Sequence, residues 1–364
     1  MKIKVSKNSL LAALQKVDSI VGTRSTLQIL SNVFIQAIEN KLILVTTDLD
    51  IRIKKEVNAE IIEPGETTLP VKKFFEISRE LLGDEVYLET EQNHMTIRNG
   101  NAIFKLLGLP ASDFPVPEKS SEIRSFTINQ NELLRILNLI SYAVKQDETR
   151  KALNGILLST SENNITSVAT DGRRLALVER SLENFTGSDG NVIIPIKSAK
   201  ELGKLLGKTG STKIEISANL VNFIMDDVTV MTTKIIEENY PNYRQVIPVV
   251  FSKNINVKRE NFLSILRRVS TVVSERNNYV KVVFSKNKLE MSAASTEFGE
   301  SCDFIEIEYD GPEVVISFNP VFLREPLEHV DSDNITIKLN DGYSPVALSN
   351  EDGFFYIVMP MRNK

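Results

Sequence analysis

The chain has one cysteine and two histidines among its 364 residues, and it has no tryptophan. The single cysteine, Cys302, excludes an intrachain disulfide, and neither His94 nor His329 has a cysteine or histidine partner at the spacing of a zinc site. Charges interrupt every apolar run before it reaches the ~18 residues of a membrane helix, and the opening residues MKIKVSKNSL lack the apolar run of a signal peptide. We therefore expect a cytoplasmic protein without a metal site and without a membrane partner.

Two short motifs come close to catalytic signatures without meeting their requirements. In GKLLGKTG at 203–210, Gly203 and Gly207 enclose one residue fewer than a phosphate-binding loop needs, and the motif ends a predicted helix instead of beginning one. ATDGRR at 169–174 has no nucleophile and base beside its aspartate, so Asp171 is interpreted as a turn residue, followed by a glycine that supplies backbone freedom. The sequence predicts no catalytic residue and no cofactor, and hence a protein that is not an enzyme.

The length exceeds the ~250 residues at which single hydrophobic cores stop growing, so we expect two or three domains. Hydrophobic residues make up 42% of the chain and charged residues 25%, which is typical of a globular protein. The net charge is −5, whereas a nucleic-acid partner normally requires a basic surface. The total charge therefore argues against nucleic acid unless the cations are concentrated on one face.

Three segments of the chain begin in the same way, which predicts an internal repeat. Each segment has the pattern of a short alternating strand, a polar turn and an amphipathic helix. An asparagine near the start of each helix, at Asn8, Asn131 and Asn261, is expected to cap it. The three segments are KIKVSKNSLLAALQKVDSIV from Lys2, SFTINQNELLRILNLISYAV from Ser125 and NINVKRENFLSILRRVSTVV from Asn254.

Further blocks follow in the same order in each copy: a β-hairpin, a strand leading into a second helix, and a final segment of strands. The first two copies are offset by about 123 residues, as from Asp48 to Asp171, and Pro70 matches Pro195. Aperiodic stretches, ASDFPVPEKSSE and YPNYRQVIPVVFSK, separate the copies. Three unrelated α+β domains with a similar succession of strands and helices are the alternative to a true repeat. The domains are expected to span residues 1–120, 121–249 and 250–364.

The positive charge is concentrated in the predicted helices. The six helical stretches carry a net charge of +6, which leaves −11 for the strands and loops. Because the helices are expected to cover one face of the sheets, that face would be basic and the other acidic. A basic face attracts phosphate without reading bases, so it would bind duplex DNA in a salt-sensitive and sequence-independent way. A general preference of Lys and Arg for helices is the alternative explanation.

Several stretches resemble the signature sequences of the bacterial DNA polymerase III beta subunit family, the sliding clamps. They are RSTLQILSNV at 24–33, LPVKKFFEISREL at 69–81, LPASDFP at 109–115, ATDGRRLA at 169–176, YPNYRQVIP at 240–248 and VMPMR at 358–362. The resemblance spans the whole chain in the family's order. It implies an α+β fold of three repeated clamp domains, each with two helices packed on antiparallel sheets, which form half of a six-domain ring.

The resemblance also implies a homodimer of two subunits joined head to tail, with sheets that run continuously across the joins. Ring closure would pair the exposed edge strands of the two subunits. The two valines among the implied interface residues are equally consistent with core packing. The implied interface residues are Lys73, Phe104, Leu106, Val272, Val273, Glu297 and Glu300.

A hydrophobic pocket between the second and third domains is a further implication, in which polymerase and other DNA enzymes dock a short linear motif. Flexible methionine side chains suit such a pocket because they repack around different peptides, although VMPM is also typical of a buried terminal strand. The matching positions are Leu153, Thr170, Gly172, Arg173, Arg174, Leu175, Pro241, Val246, Asn319, Phe322, Val358, Met359, Pro360, Met361 and Arg362.

Several cations in or beside the predicted helices and turns are expected to face DNA, although each is individually also typical of a solvated surface charge. The implied partners are duplex DNA, a second copy of the chain, the DNA polymerase III alpha subunit, a separate ATP-driven clamp loader, and other replication and repair proteins with a clamp-binding motif. The candidate DNA-facing residues are Arg24, Lys72, Arg79, Arg150, Lys197 and Lys200.

The chain departs from the family pattern at Gln28, where proline is frequent, at Arg173, where histidine is common in some members, and at Gln245, where arginine often lies. These departures imply a pocket with its own motif preference. Pro320 and Pro326 are expected to kink or shorten the sixth helix. The expected function is a processivity factor that encircles duplex DNA and tethers replicative polymerase; the alternative is a repeat-built protein scaffold with an incidental basic face.

Overall fold

Most of the chain is described by a computed structural model. Arg24 and Arg362, two of the expected site residues, lie outside the described residues. Within the described part of the chain, every helix is too short or too polar to cross a membrane. In the same part, no group of three or more His, Cys, Asp or Glu side chains is arranged to hold a metal ion. The described residues are 1–22, 27–117, 121–145, 149–275 and 278–361.

Each of the three repeats contains two helices among a series of short strands. The first repeat has helices α1 (Lys7–Val17) and α2 (Val71–Glu80) and strands β1 (Lys2–Ser6), β2 (Asn32–Ile38), β3 (Lys41–Thr47), β4 (Ile51–Asn58), β5 (Glu60–Glu63), β6 (Gly65–Pro70), β7 (Glu85–Glu91), β8 (His94–Asn99) and β9 (Ala102–Leu107). The second has helices α3 (Gln130–Ile140) and α4 (Ile196–Leu205) and strands β10 (Arg124–Asn129), β11 (Gly155–Ser161), β12 (Asn164–Thr170), β13 (Arg174–Ser181), β14 (Glu183–Gly187), β15 (Gly190–Pro195), β16 (Ser211–Ile216), β17 (Leu220–Met225) and β18 (Thr229–Lys234). The third has helices α5 (Arg259–Val269) and α6 (Pro320–His329) and strands β19 (Lys253–Lys258), β20 (Val280–Ser285), β21 (Lys288–Ser295), β22 (Gly299–Glu306), β23 (Val314–Phe318), β24 (Asn334–Leu339), β25 (Val346–Ser349) and β26 (Phe354–Val358).

One compact unit contains the described residues of 1–134, 182–188 and 197–235. It has an antiparallel five-stranded sheet of order β5-β1-β7-β8-β9 and an antiparallel nine-stranded sheet of order β14-β10-β16-β17-β18-β4-β3-β2-β6. In the larger sheet, β18 of the second repeat pairs with β4 of the first, with Met231 opposite Ile53. Helix α1 packs against β4 and α2, and its apolar face is buried.

The other compact unit contains the described residues of 135–181, 189–196 and 236–364. It has an eight-stranded sheet of order β15-β11-β12-β13-β26-β25-β24-β19 and a four-stranded sheet of order β22-β21-β20-β23. Here β13 of the second repeat pairs with β26 of the third, with Arg174 opposite Val358. Within the chain, a sheet therefore continues from the first repeat into the second and another from the second into the third, whereas continuity between two subunits stays a prediction.

The first helix of each repeat is not capped by the asparagine that we expected. Asn8, Asn131 and Asn261 lie inside the helices, and the residues preceding α1 and α5 make no side-chain capping bond, so the capping prediction is wrong. The first helical N–H is paired instead with a backbone carbonyl of the loop that precedes β7, β16 or β24. A backbone acceptor requires no particular side chain, which is why the sequence did not indicate it. The pairs are Lys7 to Asp84 at 2.8 Å, Gln130 to Gly210 at 3.0 Å and Arg259 to Asp333 at 2.8 Å.

The stretches expected to separate the repeats contain no strand and no α-helix in their described residues 111–117, 121–122 and 240–252, and Lys253 at the end of the second begins β19. Each stretch holds a 3-10 turn among its described residues, Ala111–Asp113 in the first and Tyr243–Val246 in the second. The exact domain boundaries at residues 120 and 249 stay a prediction.

Candidate functional site

The turn between β12 and β13 is closed by its own side chains. The hydroxyl of Thr170 donates to the carbonyl of Arg174 at 2.6 Å and accepts the N–H of Gly172 at 3.0 Å. One carboxylate oxygen of Asp171 accepts the N–H groups of Arg173 and Arg174 at 2.9 and 3.0 Å. Gly172 has a φ of 84°, a left-handed conformation that favours glycine. Asp171 is thus the turn residue that the sequence predicted, and the turn fixes the start of β13.

The side chain of Arg174 is largely buried and is surrounded by hydrogen-bond acceptors. Its Nε donates to Asp171 at 3.1 Å, and its Nη2 donates to the carbonyl of Tyr142 at 2.7 Å. Its Nη1 pairs with the carboxylate of Glu325, and its guanidinium carbon lies 4.4 Å from the centre of the Phe322 ring, within cation–π distance. The arginine therefore ties the turn to helix α6.

Two tyrosines add an aromatic wall to this site. The ring centres of Tyr142 and Tyr356 are 6.1 Å apart, and burial is the main reason that the pKa of each phenol is raised. Burial also opposes the charge of Arg174, but Tyr356, Glu325 and Asp171 outweigh it, so the pKa of the guanidinium is raised. The site consequently holds a charged guanidinium that is paired with two carboxylates and lies beside neutral aromatic rings.

Helix α6 continues through Pro326 to His329, so Pro326 does not shorten it, and the kink that was expected as the alternative stays a prediction. A proline has no N–H to donate to the carbonyl four residues earlier, which here belongs to Phe322. That carbonyl accepts the hydroxyl of Tyr356 instead, at 2.8 Å. The terminal strand β26 thus completes the hydrogen bonding of the helix that carries Phe322.

The start of α6 is fixed by Asn319, another of the expected pocket residues. Its side-chain oxygen accepts the N–H of Val321 at 2.9 Å, and Pro320 occupies the first helical position, where a missing N–H has no cost. The cap and the proline together set the position of Phe322 one turn of the helix away.

The terminal segment runs beside the same turn. The N–H of Met359 donates to the carbonyl of Arg173 at 2.9 Å, and the N–H of Met361 donates to the carbonyl of Ser317 at 2.7 Å. Val358 is fully buried between β13 and β25, whereas the Met361 side chain is 40% exposed. One end of the segment therefore belongs to the core and the other is accessible to a ligand.

A neighbouring cavity of about 500 Å³ is lined in part by Arg150, Leu153 and Pro241. Leu153 and Leu175 are buried, and Val246 is 39% exposed at the end of its 3-10 turn. The expected pocket residues that are linked by the contacts around Arg174 are Thr170, Gly172, Arg173, Arg174, Asn319, Phe322, Val358, Met359 and Met361.

Three residues of this site were not anticipated: Tyr142, Glu325 and Tyr356. The Arg174–Glu325 pair joins residues that are 151 positions apart in the chain, and no local pattern marks either partner. The proline after Glu325 is the only sequence signal nearby, because it leaves the carbonyl of Phe322 in need of a donor.

The candidate DNA-facing residues of the first unit lie on two helices. Lys72 and Arg79 are on α2, and Lys197 and Lys200 are exposed on α4. Lys197 pairs with Asp48 at 2.5 Å. Exposed pairs of this kind contribute little to stability, so Lys197 can exchange its partner for a phosphate. Among the residues that the structure describes, Lys200 has no carboxylate within ion-pair distance.

Four of the candidate interface residues lie at two sheet edges. Phe104 and Leu106 are half-buried on β9, and Glu297 and Glu300 are exposed around the start of β22. Lys73 on α2 pairs with Glu76 at 2.5 Å. Val272 and Val273, beside the 3-10 turn Ser270–Val272, are half-buried. Exposed apolar residues on or next to these edges, which the sequence did not single out, are Ile103, Leu107, Phe298 and Phe304.

Comparison with protein-family models matches three consecutive stretches of the chain. They correspond to the N-terminal domain of the DNA polymerase III beta subunit over residues 1–118, its central domain over 127–242 and its C-terminal domain over 244–362. The chain is 32% identical to the beta sliding clamp of Salmonella typhimurium and 31% identical to that of Escherichia coli K12, with 100% of each chain covered.

Solved structures give the same result. The DNA polymerase III subunit beta from Pseudomonas aeruginosa is 29% identical with a TM-score of 0.96, and the DNA polymerase sliding clamp from Bacillus subtilis is 27% identical with a TM-score of 0.95. In both comparisons 100% of each chain is covered.

Fold, site and similarity together define a sliding clamp, an α+β protein of three clamp domains that confers processivity on a DNA polymerase and catalyses no reaction itself. The chain belongs to the DNA polymerase III beta subunit family, as the sequence predicted. DNA and DNA polymerase are accordingly its partners.

Proposed function

We propose that two copies of the chain join head to tail into a closed six-domain ring around duplex DNA. Strand β9 of each copy would pair with β22 of the other, so that the ring has two equivalent joins. A separate ATP-driven loader would open one join to admit DNA in the cytoplasm.

The observation that carries this proposal is a pair of open sheet edges. Among the described strands, β9 pairs with β8 alone and β22 with β21 alone. Ile103 and Leu107 on β9 are 61% and 63% exposed, and Phe304 on β22 is 54% exposed. An edge with unpaired backbone groups and exposed apolar side chains favours addition of another strand, and mutual pairing would cover both edges.

Within the ring, cations on the helices would contact phosphates without reading bases. Lys72, Arg79, Lys197 and Lys200, together with Arg24 and Arg150, are the residues proposed to do so. The contacts would be individually weak and salt-sensitive, which permits sliding.

The site around Arg174 would hold a short linear peptide of the DNA polymerase III alpha subunit and of other replication and repair proteins. Phe322 and Met361 offer apolar contact next to the fixed charge of Arg174, and a flexible methionine can adapt to several peptides. Arg173 and Gln245, both exposed, are proposed to set the motif preference.

The decisive experiment measures retention on DNA of different topology. The loaded protein should stay on a nicked circular plasmid through gel filtration and leave after the plasmid is linearised. Equal retention on both forms would indicate ordinary DNA binding and would contradict encirclement. Sedimentation should give a dimer, and a monomer at micromolar concentration would contradict the ring.

A truncation separates the peptide site from the ring. Val358 is part of the core and has to be retained. The truncated protein therefore ends at Met359 and lacks residues 360–364. We expect the truncated protein to bind a fluorescein-labelled clamp-motif peptide of the alpha subunit at least about tenfold more weakly, with the dimer unchanged. A chain ended after Arg362 is the matched control and should bind normally. Unchanged affinity of the shorter chain would refute the assignment of the terminal residues.

A further inference from the structure

The turn between β3 and β4 has the same hydrogen bonds as the turn that carries Arg174. The hydroxyl of Thr47 donates to the carbonyl of Ile51 at 2.9 Å, and it accepts the N–H of Leu49 at 3.0 Å. One carboxylate oxygen of Asp48 accepts the N–H groups of the residues two and three positions later, at 3.0 and 2.7 Å. Residues 47–51 of the first repeat therefore correspond in structure to residues 170–174 of the second.

The two turns differ in the residue that adopts the left-handed conformation. Gly172 has a φ of 84°, and Leu49 at the same place has a φ of 79°. A leucine is strained there because its Cβ approaches the backbone, and the strain is not offset by burial, since Leu49 is 45% exposed. Local strain at an exposed apolar residue is typical of a binding site, because such strain persists where function requires it.

Leu49 lines a cavity of about 650 Å³ in the first compact unit. Pro115, Val116 and Pro117 form another part of its lining, and Val116 is 85% exposed. These residues belong to the segment after the first repeat, just as Pro241 belongs to the segment after the second repeat and lines the cavity near Arg174. A segment that follows a repeat therefore lines a cavity in both cases, and in the first repeat the turn itself is also part of the lining.

The charge of this cavity comes from Arg52, which follows the turn. Its guanidinium donates to the carbonyl of Pro115 at 2.9 Å and lies 5.7 Å from the centre of the Phe114 ring. Among the described residues, no carboxylate is within 4.0 Å of it. Asp50 and Lys234 also line the cavity, so the lining, with Arg52, has a net positive charge. A half-buried guanidinium without a carboxylate partner favours an anionic ligand.

We propose that this cavity is a second docking site, which takes an extended peptide of a replication partner with bulky apolar side chains next to a carboxylate. Leu49 and Val116 contact the apolar side chains, and Arg52 pairs with the carboxylate. The proposal rests on the peptide site proposed around Arg174, of which this turn is the copy. A clamp with both sites engages two segments of one partner, or two partners, on each subunit.

The test is a titration of the full-length protein, with isotope-labelled methyl groups, against two peptides. The probes are acetyl-Leu-Leu-Asp-amide and its neutral analogue acetyl-Leu-Leu-Asn-amide. We expect saturable shifts of the Leu49 and Val116 methyl signals, with the aspartate peptide bound at least about fivefold more tightly. The substitution Arg52→Gln should remove this preference, and Arg52→Lys should retain part of it.

A second variant separates binding from folding. Leu49→Gly should raise the Tm, because it relieves the left-handed strain, and should weaken peptide binding at least about fivefold. Gln92→Gly is the matched control, since Gln92 is exposed with a φ of 53° and is not part of the cavity lining. It should raise the Tm in the same way and leave binding unchanged.

Three results would overturn the proposal. They are the absence of saturable shifts at Leu49 and Val116, shifts that depend on protein concentration without peptide, and a lower Tm of the Leu49→Gly protein. The second result would assign the cavity to another copy of the chain. The Met361 methyl signal reports the site around Arg174 in the same spectra, so failure of one site is distinguishable from failure of the other.

Discussion

The hydroxyl of Tyr356 donates to the carbonyl of Phe322 at 2.8 Å, and this bond replaces the helical one that Pro326 cannot make. A strand residue near the chain's end thus completes the helix that presents Phe322 to Arg174. A hydrogen bond between strand β26 and helix α6 therefore supports the proposed peptide site, and a substitution in one of these elements should affect the other.

We expect Tyr356→Phe to lower the stability to urea by about 1–2 kcal/mol, because it leaves the carbonyl of Phe322 without a donor. Binding of the labelled alpha-subunit peptide should weaken as well, since Phe322 is less well fixed. Tyr309→Phe is the matched control: its hydroxyl donates to the carbonyl of Pro312 at 2.6 Å, away from this site, so it should affect stability and not peptide binding.

A double variant tests the cause. Pro326→Ala supplies the missing N–H within the helix, so Tyr356→Phe should cost less stability when Pro326 is already alanine. Equal losses in both backgrounds, measured by urea unfolding, would refute the link between the tyrosine and the proline.

Arg174 is expected to be intolerant of substitution. Arg174→Ala leaves Asp171 and Glu325 without their cation, and removal of one partner of a buried pair costs about 3 kcal/mol or more. Arg174→Lys should also be destabilising, because a lysine cannot reach three acceptors with the geometry of a guanidinium. Arg173→Ala, at the exposed neighbouring position, should change the urea midpoint little.

The contribution of the ion pair can be measured with an apolar replacement. Arg174→Met combined with Glu325→Leu removes both charges and should be more stable than Arg174→Ala alone. If Arg174→Ala unfolds at the same urea concentration as Arg173→Ala, the network around Arg174 does not stabilise this unit.

The contrast between local and long-range features explains which parts of this site could be foreseen. The turn at Asp171 follows from a threonine, an aspartate and a glycine in succession, so sequence alone predicted it. The Arg174–Glu325 pair depends on how β13 and α6 meet, and nothing near either residue encodes that meeting. The left-handed backbone of Leu49 is a local feature that sequence could not predict, because leucine does not favour this conformation.

The fold was predictable to the extent that it repeats. Equivalent strands and helices recur in three copies, which made the element order foreseeable, whereas the continuity of the sheets was implied by the resemblance alone. The helix caps were not, since the acceptors at Asp84, Gly210 and Asp333 are backbone carbonyls. A sequence pattern indicates a helix cap only where a side chain makes the capping hydrogen bond.

Ile103→Asp should weaken the dimer without unfolding the subunit. Ile103 is 61% exposed on the edge strand β9, so a carboxylate there costs little in the monomer and would be buried in the proposed join. We expect the dimer dissociation constant from analytical ultracentrifugation to rise at least about tenfold.

Ile62→Asp is the control for this substitution. Ile62 is 57% exposed on β5, the opposite edge of the same sheet, and should leave the dimer unchanged. Equal weakening by both substitutions would place the effect in the sheet instead of the join, and no weakening by Ile103→Asp would exclude β9 from the interface.

Lys200→Ala should reduce the salt dependence of DNA binding. A lysine that contacts a phosphate releases about one counterion, so its loss should lower the slope of log affinity against log salt by about 1. Lys197→Ala should have a smaller effect, because the pair between Lys197 and Asp48 competes with phosphate. Lys213→Ala is the control, since Lys213 lies on strand β16 and pairs with Glu215 at 2.7 Å. Fluorescence anisotropy with one duplex at several salt concentrations gives all three slopes, and a Lys200 slope equal to that of the Lys213 control would remove α4 from the DNA-facing surface.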